Sequence, residues 1–255
     1  MHNVLFEIGG FTFYTYGFLI AIGISLGFVI AQKRGKQIGL NTEIFDSLAL
    51  WLFGFGFLGA KLLYWITIID QILLNPSILF DFMNGYVVYG GILGGILGGY
   101  LFCRKHKLDF LAYFDLIVPS VALAQAFGRV GCFFAGCCYG SVTNSPIGVI
   151  FPTGSLAPSG VAVIPTQLFS SVFDLLLFFL LIAFAKRKKA EGEVASLYLI
   201  LYSVGRFIIE FFRGDLIRGS VGTLSTSQFI SIFVFVVGIG LFTYCRKRSS
   251  KQKKL

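Results

Sequence analysis

Between positions 128 and 140 the chain reads Gly128-Arg129-Val130-Gly131-Cys132-Phe133-Phe134-Ala135-Gly136-Cys137-Cys138-Tyr139-Gly140, one arginine and three thiols set among four glycines. Arginine carries a planar fork of donors that matches a phosphate, and glycine lets the backbone bend and a ligand come close. The chemistry this points to is an anionic head-group site around Gly128, Arg129 and Gly131. Neither the spacing nor the strand context of a Walker loop or a dinucleotide fingerprint is present. The thiols have several open fates. C-x4-C-C with neither histidine near it in sequence is a poor zinc set, and no metal or cofactor is expected. Cys132–Cys137 could close as a disulfide, whereas a vicinal Cys137–Cys138 bridge would be strained. Small, buried and apolar is the commonest state of free cysteine, and a thiolate beside Arg129 would be a nucleophile.

Further along, Arg206 and Glu210 lie four apart on a predicted helix and share a face. They form either a structural ion pair or part of the same site. Ionisable side chains within membrane spans cost about 2.5–3.5 kcal/mol each on insertion scales and usually face a bundle interior or a watery cavity.

The elements that must position these groups are apolar. Of 255 residues, 56% are hydrophobic and 13% charged, against about 25% charged in soluble domains, so a soluble fold is excluded. Seven apolar stretches, at about 13–31, 47–68, 85–103, 110–127, 166–185, 194–212 and 226–244, are each long enough for a helix to cross the bilayer core. Basic clusters follow the first, third, fifth and seventh: Lys33, Arg34 and Lys36; Arg104, Lys105 and Lys107; Lys186 to Lys189; and Arg246, Lys247, Arg248, Lys251, Lys253 and Lys254. By the positive-inside rule the expected architecture is all-α, a single polytopic membrane domain of seven helices with its N-terminus outside and its C-terminus cytoplasmic. A long outward loop covers about 128–165. The +9 net charge thus reports topology, and no nucleic-acid partner is expected. Five bases are left over, namely Lys61, Arg129, Arg206, Arg213 and Arg218, and Asp115, Asp174 and Glu210 are the acids at similar depth. Phe6 to Phe13, around Gly9-Gly10, reads as a small outer hairpin or an irregular tail. Glycines at i, i+4 spacing, Gly90/Gly94/Gly98 and Gly91/Gly95/Gly99, predict close helix approach.

Taken together, these residues resemble the prolipoprotein diacylglyceryl transferase family over nearly the whole chain. The resemblance runs through Phe6-Glu7-Ile8-Gly9, Tyr16-Gly17, Gly59-Ala60-Lys61-x-x-Tyr64, Tyr89-Gly90-Gly91, Asp115-x-x-x-Pro119 and the Gly128–Gly140 segment. It continues in Pro165-Thr166-Gln167-Leu168-Phe169 and Tyr202-x-x-x-Arg206-Phe207-x-x-Glu210. It implies transfer of the diacylglyceryl group of phosphatidylglycerol to the lipobox cysteine of a prolipoprotein signal peptide, giving a thioether and glycerol phosphate. The setting it implies is the bacterial cytoplasmic membrane, multi-pass, with the site toward the outer leaflet. Arg129 and Arg206 would be the phosphate donors and Glu210 would orient Arg206. Tyr16 and Tyr202 would bind the head group, with Gly128, Gly131 and Gln167 also lining the substrate site.

The departures are equally specific. Tyr89 stands where the family usually has histidine, Cys132 and Ala135 where it has asparagine, and Cys137 where it has glutamate. Tyr89 is a base only if nearby cations lower its pKa from about 10. Two other readings keep the scaffold: a transferase using its own Cys132, Cys137 or Cys138, and a non-catalytic anionic-lipid binder.

Overall fold

A computed structural model describes residues 4–215 and 219–252. Arg218, Lys253 and Lys254 lie outside the described residues. In chain order the elements are β1 (Val4–Ile8), β2 (Phe11–Tyr14), α1 (Thr15–Gln37), α2 (Phe45–Thr67), α3 (Ile69–Leu74), α4 (Val88–Lys105), α5 (Phe110–Ala135), β3 (Val149–Ile150), β4 (Ala162–Val163), α6 (Thr166–Ala185), α7 (Glu193–Glu210), β5 (Ser220–Val221), β6 (Leu224–Ser225) and α8 (Thr226–Gln252). The fold is all-helical apart from three two-stranded ribbons. The Gly9-Gly10 turn does form a hairpin, with Ile8 opposite Phe11.

Every apolar stretch becomes a helix, and among the described residues five are long and apolar enough to cross a membrane: α1, α2, α5, α6 and α8. The other two are shorter and more polar. Six glycines and two terminal bases dilute α4, and α7 carries Glu193, Arg206 and Glu210 within 18 residues. Two boundaries differ from expectation for one reason. Helix α1 runs to Gln37 and α8 to Gln252, so the basic clusters at 33–36 and 246–251 extend the helices, their long stems able to reach from apolar surface to water.

A larger correction concerns α5, which continues through Arg129 to Ala135. The connecting segment therefore begins at Gly136, and the expected loop over 128–165 loses its first eight residues. Gly136 ends the helix with φ +73°, its N–H bonded to Phe133 O and that of Cys137 to Cys132 O, a left-handed cap that glycine adopts without penalty.

Contacts divide the chain into two units, residues 35–110 and residues 1–34 with 111–255. In the first, α2 and α4 pack through glycine. A Cβ added to Gly59 would collide with the Gly90 carbonyl, and one on Gly94 with that of Phe55. In the second, α5, α6 and α7 share a core of Val118, Ala122, Leu123, Leu177, Phe178, Leu181, Val194 and Ala195. Helix α1 lies against α5, where Ser120 Oγ donates to Gly27 O at 2.7 Å. The start of α7 is capped from a distance: Asp115 on α5 accepts from the backbone N–H groups of Gly192 and Ala195, both at 2.9 Å, and pairs with Lys188 at 3.1 Å. Asp115 therefore serves the basic end of the bundle. It stands 14 residues, about 21 Å of helix, before Arg129, so the expectation of a shared depth is corrected.

Candidate active site

The leftover bases sort by partner. Lys61 is 2% exposed; its ammonium donates to the Asp81 and Asn84 carbonyls and lies over the Tyr64 and Tyr86 rings. Arg213 forks onto Asp215 at 2.8 and 2.5 Å. Burial works against the Arg213 charge, but that carboxylate more than offsets it and holds its pKa above the ordinary arginine value. Arg206 approaches Glu210 at 2.8 Å and donates to Ser227 Oγ at 2.9 Å. The contact with Glu210 Oε2 is ionic without hydrogen-bond alignment, leaving that oxygen buried with no hydrogen bond among the described residues. Arg129 differs from all of these: its guanidinium has no hydrogen bond or salt bridge to the described residues and interacts only at longer range, with Tyr202, Asp174, Cys132 and Cys138.

Arg129 and Arg206 open onto one cavity of about 200 Å³, shared with Asp174, Tyr202, Gly205 and Phe173. Three helices build it: α5 brings Arg129, α6 brings Phe173 and Asp174, and α7 brings Tyr202, Gly205 and Arg206. Asp174 couples electrostatically to both arginines. Gly205 makes room, since a Cβ there would run into the Phe173 ring. Tyr202 stacks on Tyr198 with centroids 5.4 Å apart, and Tyr198 donates to Gln125 at 2.8 Å. The cavity is smaller than the roughly 300–1,000 Å³ of drug-sized ligand pockets, a volume suited to a head group and not to acyl chains.

The thiols gather beside it. The sulfurs of Cys132, Cys137 and Cys138 lie within 4.8 Å of one another. None of these cysteines is in a disulfide. Cys138 has φ +61°, a left-handed conformation unusual for a residue with a Cβ. The first turn of α6 holds this backbone: Thr166 Oγ1 donates to Cys138 O at 2.7 Å and Gln167 Nε2 to Cys137 O at 2.8 Å. The segment that follows has its own small core of Phe151, Ala157 and Val163, so it is a folded cap on the bundle.

Of the residues marked in sequence, Arg129, Arg206 and Tyr202 meet at the cavity with Glu210 behind Arg206. Gly128 and Gly131 are helical and serve the α1–α5 contact. A Cβ on Gly131 would come within 2.9 Å of the Tyr16 ring, and one on Gly128 within 3.6 Å of Ile20. Tyr16, 42% exposed, sits in the first turn of α1 and interacts electrostatically with all three thiols and Arg129. Gln167 is 1% exposed and is spent on the Cys137 carbonyl. Tyr89 belongs to the 35–110 unit, as the second residue of α4, with an exposed ring. Asp174 was not marked as a site residue. Its signal was available, since it stands seven residues after Gln167, two turns along one face of α6.

Fold and cavity together define a class: an all-helical membrane protein that keeps paired cations around an internal cavity. The comparisons give the family. The model for prolipoprotein diacylglyceryl transferase matches residues 3–244, and the chain belongs to that family of transferases. It is 50% identical over 249 residues to the phosphatidylglycerol–prolipoprotein diacylglyceryl transferase of Clostridium tetani, covering 97% of this chain and 99% of the relative. It is 48% identical over 254 residues to transferase 2 of that name from Clostridium perfringens, covering 99% and 98%. A relative from Clostridioides difficile is 35% identical over 250 residues, covering 98% of this chain and 97% of the relative.

Proposed function

We propose that this chain moves the diacylglyceryl group of phosphatidylglycerol onto the lipobox cysteine thiol of a prolipoprotein signal peptide. The observation that carries this reading is Arg129, a guanidinium facing the same cavity as Arg206 with its donors unused by the described residues. The reaction is substitution at carbon. Sulfur attacks the glyceryl carbon that bears the phosphate, the C–O bond breaks, and the phosphodiester leaves as glycerol phosphate with a second negative charge. Donors fixed in advance where that charge appears are worth most in the transition state. Arg129 and Arg206 supply them, Glu210 and Ser227 fix Arg206, Asp174 balances the two cations, and Tyr202 offers its hydroxyl to the head group. Tyr16 shapes the approach, with Gly128 and Gly131 letting α1 come close and Gln167 holding the backbone at Cys137.

The setting that goes with this reaction is a single domain crossing the bacterial cytoplasmic membrane seven times, α4 and α7 included. The N-terminus is outside, the C-terminus is cytoplasmic, and the cavity lies at the outer leaflet. Alternation of the basic clusters supports that orientation. Expression in cells depleted of their own transferase tests the function. Rescue of reporter-lipoprotein lipidation by the wild-type chain, and none by Arg129→Gln, is expected; no rescue by well-expressed wild type refutes it.

A further inference from the structure

The transfer requires a thiolate, and the structure gathers three soft ligands beside the proposed phosphate site. We propose that Cys132, Cys137 and Cys138 bind a zinc ion whose fourth position takes the acceptor thiol as a thiolate.

The geometry is close to what zinc needs. At a Zn–S distance of about 2.3 Å, tetrahedral thiolates stand about 3.8 Å apart, and these sulfurs already lie within 4.8 Å of one another, so small side-chain rotations close the site. The scaffold is fixed beforehand. The α5 cap places Cys137 and Cys138 back over Cys132, one turn up the helix, and Thr166 and Gln167 lock the two carbonyls. Gln167 Oε1 is buried beside this clamp without a hydrogen-bond partner among the described residues. Among the described residues no histidine, carboxylate or fourth cysteine joins the group. Three protein ligands with an open position is the arrangement of catalytic zinc, whereas structural zinc takes four.

Charge and chemistry agree with this assignment. Three thiolates on Zn2+ carry a net charge of −1. Arg129 is the neighbouring cation on α5, one turn before Cys132, and it interacts with Cys132 and Cys138. Arg213 donates toward Cys138, a hydrogen bond of the kind that tunes a metal-bound sulfur. A thiol that coordinates zinc gives up its proton outright, so the acceptor enters as RSH, releases H+ to solvent and stays nucleophilic at neutral pH without a dedicated base. The sulfur then forms its bond to the glyceryl carbon, the C–O bond breaks, and glycerol phosphate departs against Arg129 and Arg206. The thioether is a weak ligand and leaves the metal. Arg129 borders both the thiols and the cavity, so one guanidinium neighbours the nucleophile and the leaving phosphate while the reacting carbon lies between those two.

The metal site stands on the thiol geometry alone, while its role in turnover rests on the transfer reading above. The test uses the full chain purified in detergent through a non-histidine tag. Elemental analysis should find about one zinc per chain, retained in Cys103→Ser and lowered at least about tenfold in Cys132→Ser, Cys137→Ser and Cys138→Ser. Replacing zinc with Co2+ in the wild-type chain should give a thiolate-to-cobalt charge-transfer band. A lipobox peptide should shift that band and its Cys→Ser counterpart should not, a readout independent of whether the variants fold. Turnover should fall on chelation and return with Zn2+. No zinc in the wild-type chain, or zinc unchanged in all three Cys→Ser variants, overturns the site; transfer that persists in metal-free protein overturns thiol activation and leaves the transferase reading intact. Copper in place of zinc, or a cobalt spectrum indifferent to the peptide thiol, overturns thiol activation. Zinc that responds to the thiol with no lipid transferred upholds the site and refutes the transferase reading.

Discussion

Arg129→Gln separates the proposed phosphate site from a structural arginine. The guanidinium makes no hydrogen bond or salt bridge to the described residues and interacts with Tyr202 and Asp174 at longer range, so its removal breaks no short polar contact to them and the loss should fall mainly on turnover, with melting changed far less. During transfer the phosphate goes from one negative charge to two, and the value of a neighbouring cation grows accordingly. Two unit charges 4 Å apart interact by about 4 kcal/mol at an effective dielectric of about 20. Removing one preorganised donor to a developing oxyanion costs about 2.7–4 kcal/mol, roughly 10²–10³ in kcat. Arg129→Lys keeps the charge and loses the fork. With hydrogen bonds to charged groups worth about 1.5–3 kcal/mol, its deficit should be about 10- to 100-fold. The assay is release of glycerol phosphate in phosphatidylglycerol vesicles, with peptide mass reporting the transferred group. Arg129→Gln within about threefold of wild type in kcat, well under 1 kcal/mol, refutes the phosphate role. So does a loss explained wholly by reduced folding.

Three further outcomes follow from the packing. Glu210→Gln leaves the Arg206 charge without its counter-ion 2.8 Å away; removing one partner of a buried pair costs about 3–5 kcal/mol, so the melting temperature in detergent should drop clearly, and an unchanged melt contradicts the pairing. Gly131→Ala sets a methyl 2.9 Å from the Tyr16 ring, whereas Gly128→Ala meets Ile20 at 3.6 Å. The first should lose about 1–3 kcal/mol to overpacking and the second should be tolerated, as parallel denaturation would show. Asp115→Ala strips two backbone N–H groups of their acceptor and should cost at least about 1–3 kcal/mol of stability, while specific activity per folded molecule, measured in vesicles, stays at the wild-type value.

The helices over the seven apolar stretches were legible because apolar runs of about 20 residues need only length and composition to be read, whereas the short α3 carries no such signal. The Arg206–Glu210 pair was legible too, since four-residue spacing puts both side chains on one face before any tertiary contact exists. The end of α5 was not. Glycine signals a loop in most chains, and nothing local tells Gly128 and Gly131, spent on the approach of α1, from Gly136, which stops the helix at positive φ. That distinction depends on Tyr16 and Ile20, more than 100 residues away. Asp174 was noted for its charge and not for its place, because its neighbours Arg129 and Arg206 come from two other helices. The thiol trio was hidden by its spacing. C-x4-C-C looks unsuited to a metal while the segment is drawn as open loop, and it becomes a trio only when the α5 cap folds Cys137 and Cys138 back and α6 clamps them.

The division of charge along α5 follows from the same economy. Each ionised group among apolar helices is costly, so a charge without a partner must be offset by something else. At one end of α5, Asp115 is satisfied three times over, by Lys188 and the start of α7, and that end is structural. At the other end, among the described residues no carbonyl accepts from Arg129 as those around Lys61 do, and the acid that interacts with it, Asp174, is shared with Arg206. With Glu210 committed to Arg206 and Asp174 facing both arginines, the charges at the cavity balance, and what stays unsatisfied is hydrogen bonding. Arg206 donates to Ser227, whereas the donors of Arg129 meet no acceptor among the described residues, so an anionic head group supplies there what the protein does not. The second negative charge born during transfer strengthens those same charge-assisted hydrogen bonds, and the unused donors of Arg129 therefore favour the transition state over the bound lipid.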